Sequence, residues 1–158
     1  MCLWVDLDDQ KEFKKDHRGK SITAYKVVMY MRNYNSPSWT NESDIRTAPW
    51  GLKSINFDFW WTPGVKKAKT AKKHKRLWDG KEVNKGIHVF LTRDEAEKYT
   101  GEWDSLLRQI IIPVKCKIKD LIAVGRKQQA VFTQVVFSKS AHQRALKKGE
   151  QERKRMGF

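Results

Sequence analysis

The chain of 158 residues predicts an α+β fold. The expected form is a single domain with an antiparallel or mixed sheet of about five or six strands and two or three short helices. Three observations lead there. Short β-branched and aromatic runs alternate polar with apolar residues, as in SITAYKVVMYMR and PVKCKIK. A Thr-x-x-Glu helix start follows the apolar run GIHVFL. The last segment, SAHQRALKKGEQERKRMG, has helical composition and a thin apolar stripe of Ala141, Ala145 and Leu146.

Taken in order, residues 1–20 run from MCLWV into a mixed-charge stretch, and Gly19 makes a turn. The first strand is expected over residues 21–32, with Thr23, Tyr25, Val27, Met29 and Met31 on one face. NYNSPSWTNESD reads as loop. A strand is expected through INFDFWW, with Ile55, Phe57, Phe59 and Trp61 opposite Asn56, Asp58 and Trp60, and stopped by Pro63-Gly64. Residues 66–85 read as a basic exposed loop. After GIHVFL, Thr92 and Glu95 start a helix with Leu91 and Ala96 as its apolar staple, and Gly101 ends it. SLLRQ reads as a further helical remnant. Val114, Cys116 and Ile118 then face a core while Lys115, Lys117 and Lys119 face outward, and Pro113 marks an edge or bulge. AVFTQVVFSK reads as one more strand. Ser140 and Gln143 carry a second capping pattern, so the domain is taken as residues 1–140 with a basic helix or tail at 141–158.

Composition narrows the function classes. Two cysteines and four scattered histidines (His17, His74, His88, His142) give neither a disulfide framework nor metal-ligand spacing. No metal and no cofactor are expected. Cys2 would become terminal on removal of Met1, but Leu3 and Trp4 follow it where terminal-cysteine nucleophiles need a tight glycine turn. No apolar run approaches the ~20 residues of a membrane span, and the N-terminus lacks the order of a secretory signal. A soluble, cytoplasmic protein with no membrane partner is therefore expected. Phosphate-cradling glycine loops, G-x-S-x-G elbows and H-E-x-x-H helices are all missing from the sequence, which leans away from an enzyme.

The formal charge of +15 favours an acidic partner, nucleic acid (DNA or RNA) or an acidic protein. Seven cations fall between residues 66 and 76 without an acid: Lys66, Lys67, Lys69, Lys72, Lys73, Lys75 and Arg76. Trp60 and Trp61 precede them and Trp78 follows. Lysines neutralise phosphates, and exposed rings stack on unpaired bases. Arg144, Lys147, Lys148, Arg153, Lys154 and Arg155 could extend that footprint along the C-terminal helix. His88, lone on an alternating strand, reads as structural first and as a pocket residue second.

Two resemblances attach to these segments. AYKVV, NSPSW, GIHVF with its DEAEKY helix, and VKCKIKDLIAVG ahead of AVFTQVVF resemble small accessory proteins of tailed bacteriophages over residues 21–140. That resemblance implies a phage origin and an accessory role directed at the host, and supplies no activity. The charge then points to nucleic acid or a host machine bound to it, and exposed tryptophans as anchors point to inhibition of a host enzyme. GIHVF…AEKY is also similar to ADP-ribosyltransferases of the poly-ADP-ribose polymerase type, which clamp nicotinamide dinucleotide in a split sheet. It implies a pocket lined by His88 and Tyr99. Tyr25-Lys26 stands where that family has a histidine, and Gln134 where it has a glutamate.

Overall fold

The computed structural model describes residues 3–40, 42–55, 59–68, 71–74, 76–101 and 109–157. In chain order the elements are β1 (Leu3–Trp4), α1 (Leu7–Asp16), β2 (Ser21–Arg32), β3 (Trp50–Ser54) and β4 (Gly64–Lys67). There follow β5 (Glu82–Val83), β6 (Ile87–Phe90), α2 (Arg93–Gly101) and β7 (Gln109–Lys117). Last come β8 (Leu121–Gly125), β9 (Gln129–Phe132), β10 (Gln134–Phe137) and α3 (Lys139–Arg155). Eight strands form one antiparallel sheet in the order β4-β10-β7-β2-β6-β9-β8, with β3 also on β2, and β1 pairs with β5 in a small second sheet. The α+β class holds. The larger strand count comes from pieces of two to four residues, too short to show alternation in sequence.

β2 organises the sheet. One edge registers with β7 from Ser21 opposite Lys117 to Met29 opposite Gln109. The other edge is divided: Tyr25 meets Phe90 of β6, and Val28 to Arg32 meet β3. The expected single strand through AVFTQVVF is two strands that change partners at Thr133. β9 pairs with β6 and β8, whereas β10 pairs with β7 and β4. In the sheet order three strands, β7, β2 and β6, separate β10 from β9. Flat strands would hold them roughly 19 Å apart, yet one residue joins them. The sheet therefore curls until its two sides meet at Thr133, whose N–H donates to the Asp120 carbonyl at 2.8 Å.

The inner face of this curl is the core, where Ala24, Val28, Tyr30, Ile112, Val114, Val89, Phe132 and Phe137 meet. α3 joins it through Ala141 and Ala145. Its cap is Ser138, which accepts from the Ala141 N–H at 3.1 Å, two residues before the expected Ser140. Phe137 is fully buried, which obliges the chain to turn immediately after it. On the outer face α2 covers Val27 and Phe90 through Ala96, and Leu3, Val5 and Val83 cover Ile122, Ala123 and Val131. The Thr92 hydroxyl accepts from Glu95 N–H at 3.3 Å, as its spacing predicts, while the Glu95 carboxylate turns to Lys98 at 3.0 Å.

Other local expectations shift. The middle of the expected INFDFWW strand, residues 56–58, falls outside the described residues, and the strand here lies at Trp50–Ser54. The chain then returns over it, with Trp60 bridging Lys53 and Trp61 N–H donating to Leu52 at 2.7 Å. Gly51 permits this return, because a Cβ there would lie 3.2 Å from two Trp60 ring atoms. Gly64 opens β4 and does not end a strand. Lys66 and Lys67 therefore belong to the sheet, not to a loop. Pro113 lies inside β7 opposite Tyr25, where β10 registers with β7 only at Lys115. SLLR at 105–108 also lies outside the described residues, as does Cys2. Helix α1 was not expected, although Asp6 caps it, acids open it and lysines close it.

Candidate nucleic-acid interface

The long basic stretch is divided by the fold into two environments. Lys66 faces the same side as Val135, its partner on β10, and so lies beside α3. There its charge, after burial, holds the His142 imidazole below its ordinary pKa. The Lys66 ammonium donates to the Thr62 hydroxyl, and burial lowers its own pKa. Lys67 points to the opposite, outer side of the sheet with Gln134. Lys69 and Lys75 lie outside the described residues.

Lys72 and Lys73 go elsewhere. With His74, Glu82, Val83, Asn84 and Lys85 they line a cleft of about 200 Å³ on β5. Three lysines against one glutamate make it an anion-attracting recess, and all three lysines are exposed. The position of β5 is held by backbone. Val5 N–H donates to Lys81, Gly80 N–H to Val5, and Leu7 N–H to the Asp79 carboxylate at 2.8 Å. Gly80 takes a positive φ of 77°, which the turn from Trp78 to Lys81 requires.

Two exposed tryptophans lie close to β5 in chain or in register. Trp78 is 54% exposed and carries Lys81 Nζ over its ring at 4.3 Å. Trp4 is 56% exposed and is the register partner of Glu82, so it shares the cleft residue's side of the small sheet. The other predicted rings behave differently. Trp61 is 2% exposed and donates to Ser54 Oγ at 2.8 Å, so it is a core residue and offers no stacking surface. Its ring is needed to fill the space against Phe59 and Phe137. Trp60 lies over Gly51 with its Nε1 buried and Lys53 at 5.8 Å from its ring. Sequence reading missed Trp4. No signal marked it, because Leu3, Trp4 and Val5 are all apolar in sequence and only the fold buries Leu3 and Val5 and leaves Trp4 exposed.

On α3, Arg144, Lys147 and Lys148 are exposed, and so are Lys154 and Arg155, though these two approach Glu150 and Glu152. Arg153 is committed to structure. It pairs with Glu150 and lies over Trp50, whose ring also faces Arg32 at 4.8 Å. Glu150 additionally accepts from Tyr30 at 3.0 Å, and Arg153 beside it holds its carboxyl well below the usual range. Arg76 is exposed, and its carbonyl accepts from Lys81.

His88 does not open into the cleft. It is 3% exposed, and Nε2 donates to the carbonyl of Asn84, a cleft-lining residue, at 3.3 Å. Burial first, then the nearby Lys26 charge, push its pKa down to about 4. It is a neutral ring that supports the wall from behind. Lys26 faces the inside of the curled sheet, where β2's edge passes from β6 to β3, and donates to the His88 carbonyl at 2.9 Å. Burial lowers its pKa to about 8. Tyr25 and Tyr99 meet around Phe90, the Tyr99 ring lying 5.2 Å from it. Gln134, on β10, hydrogen-bonds Asp120 at 3.2 Å. The fold thus gathers Tyr25 with Tyr99 around Phe90 and commits Gln134 to Asp120.

Among the described residues no group of three histidines, cysteines or acids could hold a metal ion. No described helix is long and apolar enough to cross a membrane. Comparison with protein-family models, with curated proteins and with solved structures finds no match for the chain.

Proposed function

We propose that this protein binds single-stranded nucleic acid, phosphates entering the β5 cleft and bases stacking on Trp78 and Trp4. One observation carries the reading: Lys72, Lys73 and Lys85 converge on one recess at β5, and exposed indoles stand at its strand partner, Trp4, and in the turn before it, Trp78. Cations neutralise phosphate and release counterions, while each stacked base adds about 1–3 kcal/mol without regard to sequence. Unpaired strands are favoured over duplex because only they can present base faces to Trp78 and Trp4. Arg144, Lys147 and Lys148 supply a second, purely electrostatic contact. The phage resemblance adds that the strand, or a machine bound to it, belongs to a host cell.

Fluorescence anisotropy with labelled oligothymidylate and oligouridylate tests this. The expected result is low-salt binding of both that weakens by about tenfold in Trp78→Ala, with duplex of equal length bound less tightly. Failure to bind either strand at low salt overturns the proposal. Nicotinamide dinucleotide is the contrasting probe: binding heat that His88→Ala abolishes would favour the transferase-like alternative.

A further inference from the structure

The two ends of the main sheet are finished differently. At β8 the open edge is capped: Asp6 N–H donates to the Val124 carbonyl at 3.0 Å, Val124 N–H donates to Gln10 Oε1 at 3.0 Å, and Val5 bridges Gly125. At β4, the other end, no such cap exists among the described residues. The register shows which groups are left. Ala68 N–H donates to Thr133 at 2.9 Å, and hydrogen-bonded pairs recur every second residue of an antiparallel ladder. Gly64 and Lys66 therefore bond inward to β10, and the N–H and C=O of Val65 and Lys67 point away from the sheet.

The side chains along this edge define its complement. Val65 is 55% exposed and Val136 beside it 38%, forming a short apolar step on the uncovered outer face. That step continues across the sheet to Lys115 and Thr23, with Lys67 on the same side. Lys66 points the other way, toward His142. Lysine on an edge strand ordinarily repels strands of like charge. It attracts acidic ones. A second copy of this chain would bring its own +15 charge, and an antiparallel register centred on Lys66 would set like charges directly opposite.

We infer that the β4 edge is a docking site for an extended acidic segment of a partner protein, which adds to the sheet as an antiparallel strand. An apolar residue lies opposite Val65 and carboxylates opposite Lys66 and Lys67, so the segment reads Glu-Glu-Val or its Asp equivalents. Backbone pairing with Val65 and Lys67 supplies affinity, and the alternating side chains supply selection. Nucleic acid is the poorer occupant, because what the edge exposes is strand-spaced peptide donors and acceptors. The site is separate from the β5 cleft.

The probe is a fluorescein-labelled peptide with Glu-Glu-Val at its centre, compared with the same peptide N-methylated on the first Glu and the Val. Methylation keeps the charge and removes the pairing N–H groups. The expected result is binding weakened by about tenfold on methylation. A similar loss is expected in Val65→Pro, which removes an N–H the fold does not use, and in the exposed variant Lys67→Glu. The Lys72→Gln, Lys73→Gln, Lys85→Gln variant should bind the peptide normally. Equal binding of the two peptides, loss of binding in the cleft variant, or sedimentation showing that a second copy already occupies the edge would overturn the inference.

Discussion

Replacing Gly149 with alanine should reverse the usual rule for helix interiors. In an exposed helix the change stabilises by about 1 kcal/mol, because alanine loses less backbone freedom on folding. At Gly149 the new Cβ would lie 2.4, 2.5 and 2.8 Å from three ring carbons of Tyr30. Carbon atoms need about 3.5 Å, so ring and helix must part by roughly an ångström. Tyr30 has nowhere to go: it is buried, stacked on Trp50 at 4.9 Å, and hydrogen-bonded to Glu150 one residue further along α3. Overpacking of this kind costs about 1–3 kcal/mol, and losing the Tyr30–Glu150 bond adds about 1 kcal/mol. Setting the helix gain against these leaves a net loss of about 1–3 kcal/mol. Urea unfolding followed by tryptophan fluorescence should show a midpoint lower by about 1 M. The exposed neighbour Lys148→Ala should change stability by no more than about 0.5 kcal/mol. A Gly149→Ala protein as stable as the parent, or more so, would refute the seating of α3 on Tyr30.

Other consequences concern single side chains. His88 stays neutral in the fold down to about pH 4 but protonates near 6.5 when unfolded. The unfolded state therefore binds more protons in that window, and stability is full above about pH 6.5 and falls toward pH 4 at roughly 1.4 kcal/mol per unit. In His88→Gln that part of the pH dependence of the urea midpoint should vanish. Trp61→Ala should destabilise by about 3–5 kcal/mol, whereas Trp78→Ala should weaken oligonucleotide binding and leave the midpoint unchanged. Cys116 is fully buried with its thiol pushed up to about 12, so in a Cys2→Ser background a thiol reagent should react only as the protein unfolds.

Segments whose residues carry local chemistry are legible in the sequence itself. Thr92 with Glu95, and the alternation of Val114 and Cys116 with Lys115 and Lys117, announce α2 and β7 because caps and period-two burial are written into neighbouring residues. Ile118, expected to continue the strand, instead lies half-buried in a short 3-10 turn after it. The division of AVFTQVVF is not legible. Thr133 is an ordinary strand residue, and only the curl of the whole sheet makes it a corner. The same holds for the interface. Lysine count and tryptophan content point to charge and stacking, but which rings face solvent depends on what covers them. Gly51 admits Trp60, Phe137 encloses Trp61, and the short β1–β5 sheet leaves Trp4 and Trp78 outside.

The central claim is that the β5 cleft takes phosphates, and salt dependence tests it most directly. Each phosphate neutralised on a single strand contributes about 0.7 to the slope of log affinity against log salt. Three cleft lysines should therefore account for about two units of that slope. Titrating labelled oligothymidylate across a salt series, with the parent and with Lys72→Gln, Lys73→Gln, Lys85→Gln, should give a slope shallower by about two in the variant, at unchanged stability. Identical slopes, or an affinity that salt does not touch, would contradict the account.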